Sequence, residues 1–199
     1  MPKPVLAVDF DDVINDFNRA FLHYNQVAHG VLLQYDDLHS YEYPEAYGIS
    51  EEEAHHRIWH FCHNLHHQVK PIAGVIEALE LLKELYEIHM VTSRCESIAA
   101  ISHTWIDEWI PGIFANTHFT NGFTTKHPER RRLKVDVCRE IGAVAHVDDS
   151  LSHVGSIAAQ LGIPVFMLTQ PWNKHETPPG VTRVESFTEV LEQLVQMAA

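Results

Sequence analysis

At 199 residues the chain is long enough for one domain with a modest insertion and a full apolar core. Hydrophobic residues make up 45% and charged residues 21%, as in an ordinary globular protein, and the formal net charge is −13. That charge argues against a nucleic-acid polymer or an anionic membrane as the main partner, but not against a small anionic substrate, because a bound cation can reverse the field inside one pocket. Three scattered cysteines, Cys62, Cys95 and Cys138, make no disulfide or zinc framework. The opening Met1-Pro2-Lys3-Pro4 lacks a signal-peptide shape and no apolar run approaches transmembrane length, so a cytoplasmic protein is expected.

Pro4-Val5-Leu6-Ala7-Val8 reads as a buried strand, and Asp9, Asp11 and Asp12 follow at once. Residues two apart on an extended chain point the same way, so Asp9 and Asp11 are expected to project together at the strand end. Two like charges that close need a cation or a shared proton. Asp16 then looks like the N-cap of a helix that stops at Gly30, and residues 31–48 read as an irregular connection. Ser50-Glu51-Glu52-Glu53 has the form of a capping box opening a helix through about Gln68, and Pro71 breaks the pattern.

From there strand and helix alternate. Val75, Leu79 and Leu82 give a helical stripe, 88–91 a strand, and Ile98, Ile101, Trp105 and Trp109 a helix that ends near Pro111-Gly112. Residues 114–119 read as a strand, 134–141 as a helix and 143–147 as a strand that runs into Asp148-Asp149. A helix over 152–161 closes at Gly162, 164–168 is the last core strand expected, and a C-terminal helix follows Ser186. This predicts the α/β class: a Rossmann-like parallel sheet with right-handed crossovers. The connection after the first strand is about twice a simple βαβ unit. Its surplus predicts a small helical cap over 18–69, with 1–17 and 70–199 as the core.

Four elements carry chemistry at the strand ends: Asp9 with Asp11, Thr92-Ser93-Arg94, Lys134, and Asp148-Asp149. Each alone has a bland reading as a turn, a helix cap or a solvated charge. Together they are what phosphoryl transfer requires, since a carboxylate nucleophile needs a metal and a cation to lower its repulsion from an incoming phosphate.

These four elements, in this order, resemble the haloacid-dehalogenase superfamily of aspartate-nucleophile phosphatases, from Val5 to about Leu168. Asp9-x-Asp11-x-Val13-x-x-Asp16-Phe17 and Thr92-Ser93 are similar to its 5'(3')-deoxyribonucleotidase branch. The resemblance implies that Asp9 attacks phosphorus, that Asp11 exchanges the proton, and that Thr92, Ser93 and Lys134 hold the phosphoryl group. It implies Mg²⁺ between the Asp9 carboxylate, the Asp11 carbonyl and Asp148, with Asp149 in or near that shell, a donor set suited to a hard cation. Phe17 matches an aromatic position lining the deoxyribonucleotidase pocket. Three departures stand out: Asp12 where many relatives have glycine, Arg94 where the branch tends to have proline, and no lysine soon after Thr92-Ser93. Arg94 is therefore a candidate substrate ligand, and Lys126 the fallback for Lys134.

Six of the 16 histidines fall between His55 and His67. His56, His60, His63 and His67 share one helical face, either a metal or pH-sensing site or a solvated face. Trp59 and Phe61 could stack on a base or belong to the cap's core, and Trp172-Asn173 either lines the mouth of the site or packs against the last helix. The expected activity is that of an Mg²⁺-dependent phosphomonoesterase for (deoxy)nucleoside monophosphates. The rivals are a phosphatase for another small metabolite and a non-catalytic binding protein of the same fold. A dehalogenase fits less well, because Asp11 belongs to the phosphatase pattern.

Overall fold

The computed structural model describes residues 2–123 and 128–198. Six strands, β1 (Val5–Val8), β2 (Glu87–Thr92), β3 (Phe114–Phe119), β4 (Ala143–Asp148), β5 (Val165–Leu168) and β6 (Val181–Val184), pair in the order β3-β2-β1-β4-β5-β6. Every pairing is parallel. Parallel strands are buried on both faces, which is why they read as unbroken apolar runs. Leu6 and Val8 pack with α4 (Val75–Leu85), α5 (Ala99–Trp109) and α8 (Phe187–Ala198) on one face. Ala7 points the other way, toward α6 (Lys134–Glu140) and α7 (Leu151–Leu161). The strand order reverses between β1 and β4, and open sheets of this kind place ligands at the carboxyl ends of such strands. No helix among the described residues is long and apolar enough to cross a membrane.

Between β1 and α4 the chain forms α1 (Phe17–His29), α2 (Tyr43–Tyr47), α3 (Glu51–Asn64) and a 3-10 turn at His66–Gln68. Phe17, Phe21, Phe61, Cys62 and Val69 give this segment an apolar cluster of its own. The chain leaves and re-enters the sheet layer side by side: Asp16 N–H donates to Lys70 O at 2.9 Å, and Ile72 N–H to Ile14 O at 2.9 Å.

Four expectations are corrected. β6 adds a strand beyond the 164–168 run, paired with β5. The connection over 31–48 contains α2, a five-residue helix closed by Gly48 in the left-handed conformation. α3 ends at Asn64 rather than Gln68; Ser50 does accept from Glu53 N–H at 3.2 Å, but the Glu53 carboxylate turns to Arg57. Asp16 does not cap α1. It pairs with Arg19 at 3.0 Å, and the first turn is served by Asp12, whose carboxylate accepts from Asn18 N–H at 2.8 Å and Asn18 Nδ2 at 2.7 Å. Asp12 sits at φ 59°, in the left-handed region that glycine adopts freely and aspartate tolerates better than most residues.

Asp12→Ala should therefore cost about 2–3 kcal/mol, the sum of a lost helix cap and unrelieved left-handed strain. Asp12→Asn keeps an acceptor and a tolerant side chain, and Asn18 can turn its unpartnered Oδ1 to meet the new amide. Its cost should stay within about 1 kcal/mol, as read from urea unfolding of both variants.

Candidate active site

Past Val8 the chain remains tied to the sheet for one residue, Asp9 N–H donating to Val147 O at 2.9 Å. It then coils: Ile14 and Asn15 N–H both return to Phe10 O. Asp9 is buried under this coil beside the end of β4, where Asp148 and Asp149 emerge. Lys134, the first residue of α6, reaches between them, its Nζ lying 2.7 Å from both Asp9 Oδ2 and Asp148 Oδ2. Burial alone would lower the Lys134 ammonium, but Asp148 and Asp9 outweigh it and raise it above its ordinary value.

The carboxylate oxygens are unequally occupied. Asp148 Oδ1 accepts from Asp149 and Ser150 N–H, each at 2.9 Å, while Oδ2 meets Lys134 and His146 Nε2 at 3.0 Å. Asp149 Oδ2 accepts from Trp172 Nε1 at 2.8 Å, and Asn173 Nδ2 donates to Asp149 O at 2.8 Å. That leaves Asp9 Oδ1 and Asp149 Oδ1, both buried and without a hydrogen-bond partner. Burial, with help from Asp148, pushes the Asp9 carboxyl up to about 6, and burial with Asp148 and Asp9 drives Asp149 well above the usual carboxylate range. Asp9, Asp148 and Asp149 can bring one oxygen each within 4.8 Å of one another, the only such grouping of potential metal ligands among the described residues. Hard, crowded oxygens with two orphans fit a small divalent cation.

Asp11 does not share this cluster. Arg94 grips its carboxylate with both arms, Nε to Oδ2 and Nη2 to Oδ1 at 2.7 Å each. Burial would raise the Asp11 carboxyl, but the Arg94 guanidinium outweighs it and holds it below its ordinary value. β1 ends at Val8, so strand alternation no longer sets the direction of Asp11, and the two acids take different cations, Asp9 Lys134 and Asp11 Arg94. Arg94 is itself buried, with its guanidinium 4.7 Å from the Phe10 ring and 5.4 Å from that of Phe17. Phe17 lies in the apolar cluster of the segment between β1 and α4, edge-on to Phe61 and close to Arg94.

Thr92 ends β2 and Ser93 follows it at the same edge, and both are buried. The loop after β3 laces them in place: Thr120, Asn121 and Gly122 N–H donate to Thr92 O, Arg94 O and Ser93 O. A Cβ on Gly122 would come within 3.1 Å of the Ser93 Cβ, a tight contact to which Ser93 would have to yield by a few tenths of an ångström. Lys126 lies outside the described residues.

The histidine face does not converge on the site. His60 stacks on Tyr24 and His63 on an exposed Trp59, whereas Phe61 is cap core. The histidine that touches the site is His66, from outside that face, and its signal was only its place in the run. His146 and Ser102 also went unread, since nothing local sets them apart. Trp172 and Asn173 were legible as residues at the right sheet edge, though not as partners of Asp149.

The profile of the family described as "5' nucleotidase, deoxy (Pyrimidine), cytosolic type C protein" matches residues 3–199. The chain belongs to this family. It is 25% identical over 184 residues to a protein of Halalkalibacterium halodurans provisionally named a nucleotidase, which covers 92% of this chain and 88% of that one. It is 31% identical over 122 residues to a 5'(3')-deoxyribonucleotidase of Clostridium acetobutylicum, across 57% of this chain and 62% of that one. Its fold is similar to that of a haloacid-dehalogenase-superfamily hydrolase of subfamily IA from Geobacter sulfurreducens, with TM-score 0.60, 21% identity and 96% of each chain covered. The chain is thus a member of a 5' nucleotidase family, with a fold like that of haloacid-dehalogenase-superfamily hydrolases.

Lys134→Met removes the cation that Asp9 and Asp148 share, leaving His146 as the partner of Asp148 and no cation on Asp9. Unfolding in denaturant at pH 7 with chelator present should show a loss of about 3–5 kcal/mol, the usual cost of removing one partner of a buried ion pair.

Proposed function

We propose that this chain is an Mg²⁺-dependent phosphomonoesterase that removes phosphate from (deoxy)nucleoside monophosphates through an aspartyl-phosphate on Asp9. The observation that carries the reading is a buried carboxylate, Asp9, held at 2.7 Å by Lys134 yet retaining one oxygen with no partner. The nucleotide substrate is supported by the family and by the name of the Clostridium relative. The division into a core of 1–17 and 70–199 and a cap of 18–69 belongs to the same proposal, supported by the apolar cluster around Phe21, Phe61, Cys62 and Val69, which Phe17 joins to the core.

In the first step an Asp9 oxygen forms a bond to phosphorus as the ester P–O bond breaks, and Asp11, once freed from the Arg94 fork and protonated, gives its proton to the leaving oxygen. In the second, water attacks the aspartyl-phosphate and gives its proton to Asp11, releasing inorganic phosphate and restoring Asp9. Lys134 counters charge beside the phosphoryl group, and Thr92 and Ser93, laced to the loop after β3, receive its oxygens. Mg²⁺ would be held by the Asp9 carboxylate, the Asp11 carbonyl and the Asp148-Asp149 pair. The unpartnered oxygen belongs to Asp149, whereas both Asp148 oxygens are engaged, which favours Asp149 as the direct ligand. When bound, the ion would neutralise charge on the phosphoryl oxygens.

Phosphate release from an aryl phosphate and a nucleotide panel with Mg²⁺ tests the reading. Turnover should be greatest on nucleoside monophosphates and vanish in Asp9→Asn; undiminished turnover in that variant refutes the mechanism. A second measurement concerns the metal. With its pKa raised to about 6, Asp9 binds a proton more tightly in the folded chain than in the unfolded one. The resulting stability is full below about pH 4 and is lost as pH rises through 6. At a hundredfold excess over its Kd at pH 7.5, Mg²⁺ should therefore stabilise the fold by about 2.7 kcal/mol at pH 7.5 and by less at pH 5, read as shifts in unfolding temperature. Asp149→Asn should abolish the shift.

A further inference from the structure

The loop after β5 builds a frame around Asp149. Trp172, which is buried, donates from Nε1 to Asp149 Oδ2 at 2.8 Å, and Asn173 Nδ2 donates to Asp149 O at 2.8 Å. The Asn173 amide is then used up: Nδ2 also donates to Leu168 O at 2.8 Å, and Oδ1 accepts from Gln170 N–H at 3.0 Å and Arg183 Nη1 at 2.9 Å. Two donors and two acceptor positions are all that a primary amide offers. Arg183 Nη2 further donates to Asn173 O at 2.7 Å, so the turn 170–173 is anchored to the edge strand β6. The segment inserted after β1 fixes Trp172 from its other side. The indole meets the Tyr35 and Tyr41 rings at centroid distances of 6.1 and 6.5 Å and packs with Leu22, Leu38 and Ala46.

We propose that Trp172 is a positioning residue for the cation site: its N–H holds Asp149 Oδ2 so that Oδ1, which meets no donor, faces a small divalent cation, with Asn173 and Arg183 as the frame that aims the indole. This rests on the proposed Mg²⁺ site with Asp149 as a direct ligand. The kind of donor matters. Lys134 is a cation and occupies Asp148 together with His146. An indole N–H is a donor only and carries no charge, so it directs a carboxylate without competing with a metal for it. Direction matters most for Mg²⁺, which demands near-ideal octahedral geometry, whereas Ca²⁺ accepts flexible arrangements of oxygen ligands. An Asp149 carboxylate free to turn should lose Mg²⁺ before it loses Ca²⁺.

Trp172→Phe keeps an aromatic ring against Tyr35 and Tyr41 and removes the N–H. Calorimetric titration of the metal-free variant at pH 7.5 should show Kd for Mg²⁺ raised about tenfold or more, the usual effect of deleting a group that orients a metal ligand, with Kd for Ca²⁺ raised less than about threefold. A smaller rise for Mg²⁺ overturns the proposal. A Ca²⁺ loss of the same size overturns it too, because a pocket that has merely loosened would release both ions alike. Thermal unfolding without metal shows whether the variant is folded. If it is not, Arg183→Met removes the anchor of Asn173 and leaves the indole in place. That variant should weaken Mg²⁺ more than Ca²⁺, at smaller size, and unchanged Mg²⁺ affinity there overturns the proposal. Failure of the underlying reading looks different: the unaltered protein would bind no Mg²⁺, or Asp149→Asn would bind it as tightly as before.

Discussion

One ammonium group organises the catalytic edge of this molecule. Lys134 Nζ stands 2.7 Å from carboxylates at the ends of two neighbouring strands, β1 and β4, and all three groups are buried. Without the cation, Asp9 and Asp148 would repel one another in a low-dielectric setting where that repulsion is many times its value in water. The sheet order makes the meeting possible. β1 and β4 are adjacent because the chain winds to opposite sides of them, and α6 delivers Lys134 across the gap as its first residue.

The acids nevertheless outnumber this one cation, and the structure separates them. Asp9 and Asp148 belong to Lys134, Asp11 to Arg94, and Asp12 to the first turn of α1. Asp149 is held only by neutral donors, Trp172 through its side chain and Asn173 through its carbonyl, which leaves an oxygen for a cation. The proposed chemistry benefits from this segregation. A nucleophile and a proton carrier two residues apart need different electrostatic surroundings, and two cations from different loops provide them. The second cation also meets His66, on the 3-10 turn between α3 and α4, so Arg94 links the Asp11 carboxylate to the segment inserted after β1.

The sheet was legible because its central strands are buried on both faces and bounded by helices of ordinary length. Where those conditions fail, so did the reading. β6 is a four-residue edge strand, Val181-Thr182-Arg183-Val184, preceded by Pro178-Pro179-Gly180, and its two polar residues give no apolar run. α2 is too short for a helical period to emerge. At Asp16 a good cap residue was present, but a nearby arginine claimed it and an acid four residues earlier took the role. Local chemistry permitted both arrangements, and only the coil after β1 chose between them.

The sequence by itself determined which residue types stand at the strand ends: acids after β1 and β4, hydroxyls after β2, and a lysine opening the helix before β4. Those follow from where apolar runs stop, which is a local property of the chain. Tertiary structure decided how the charges pair. Arg94 and Asp11 are 83 positions apart, and Lys134 and Asp148 are 14 apart on different elements. Spacing along the chain carries no information about such contacts, because they depend on how loops from separate strands meet in three dimensions. The i, i+2 acids that looked like a single pair took separate cations for the same reason: a strand's alternation ends with the strand, and after Val8 the long-range partners take over.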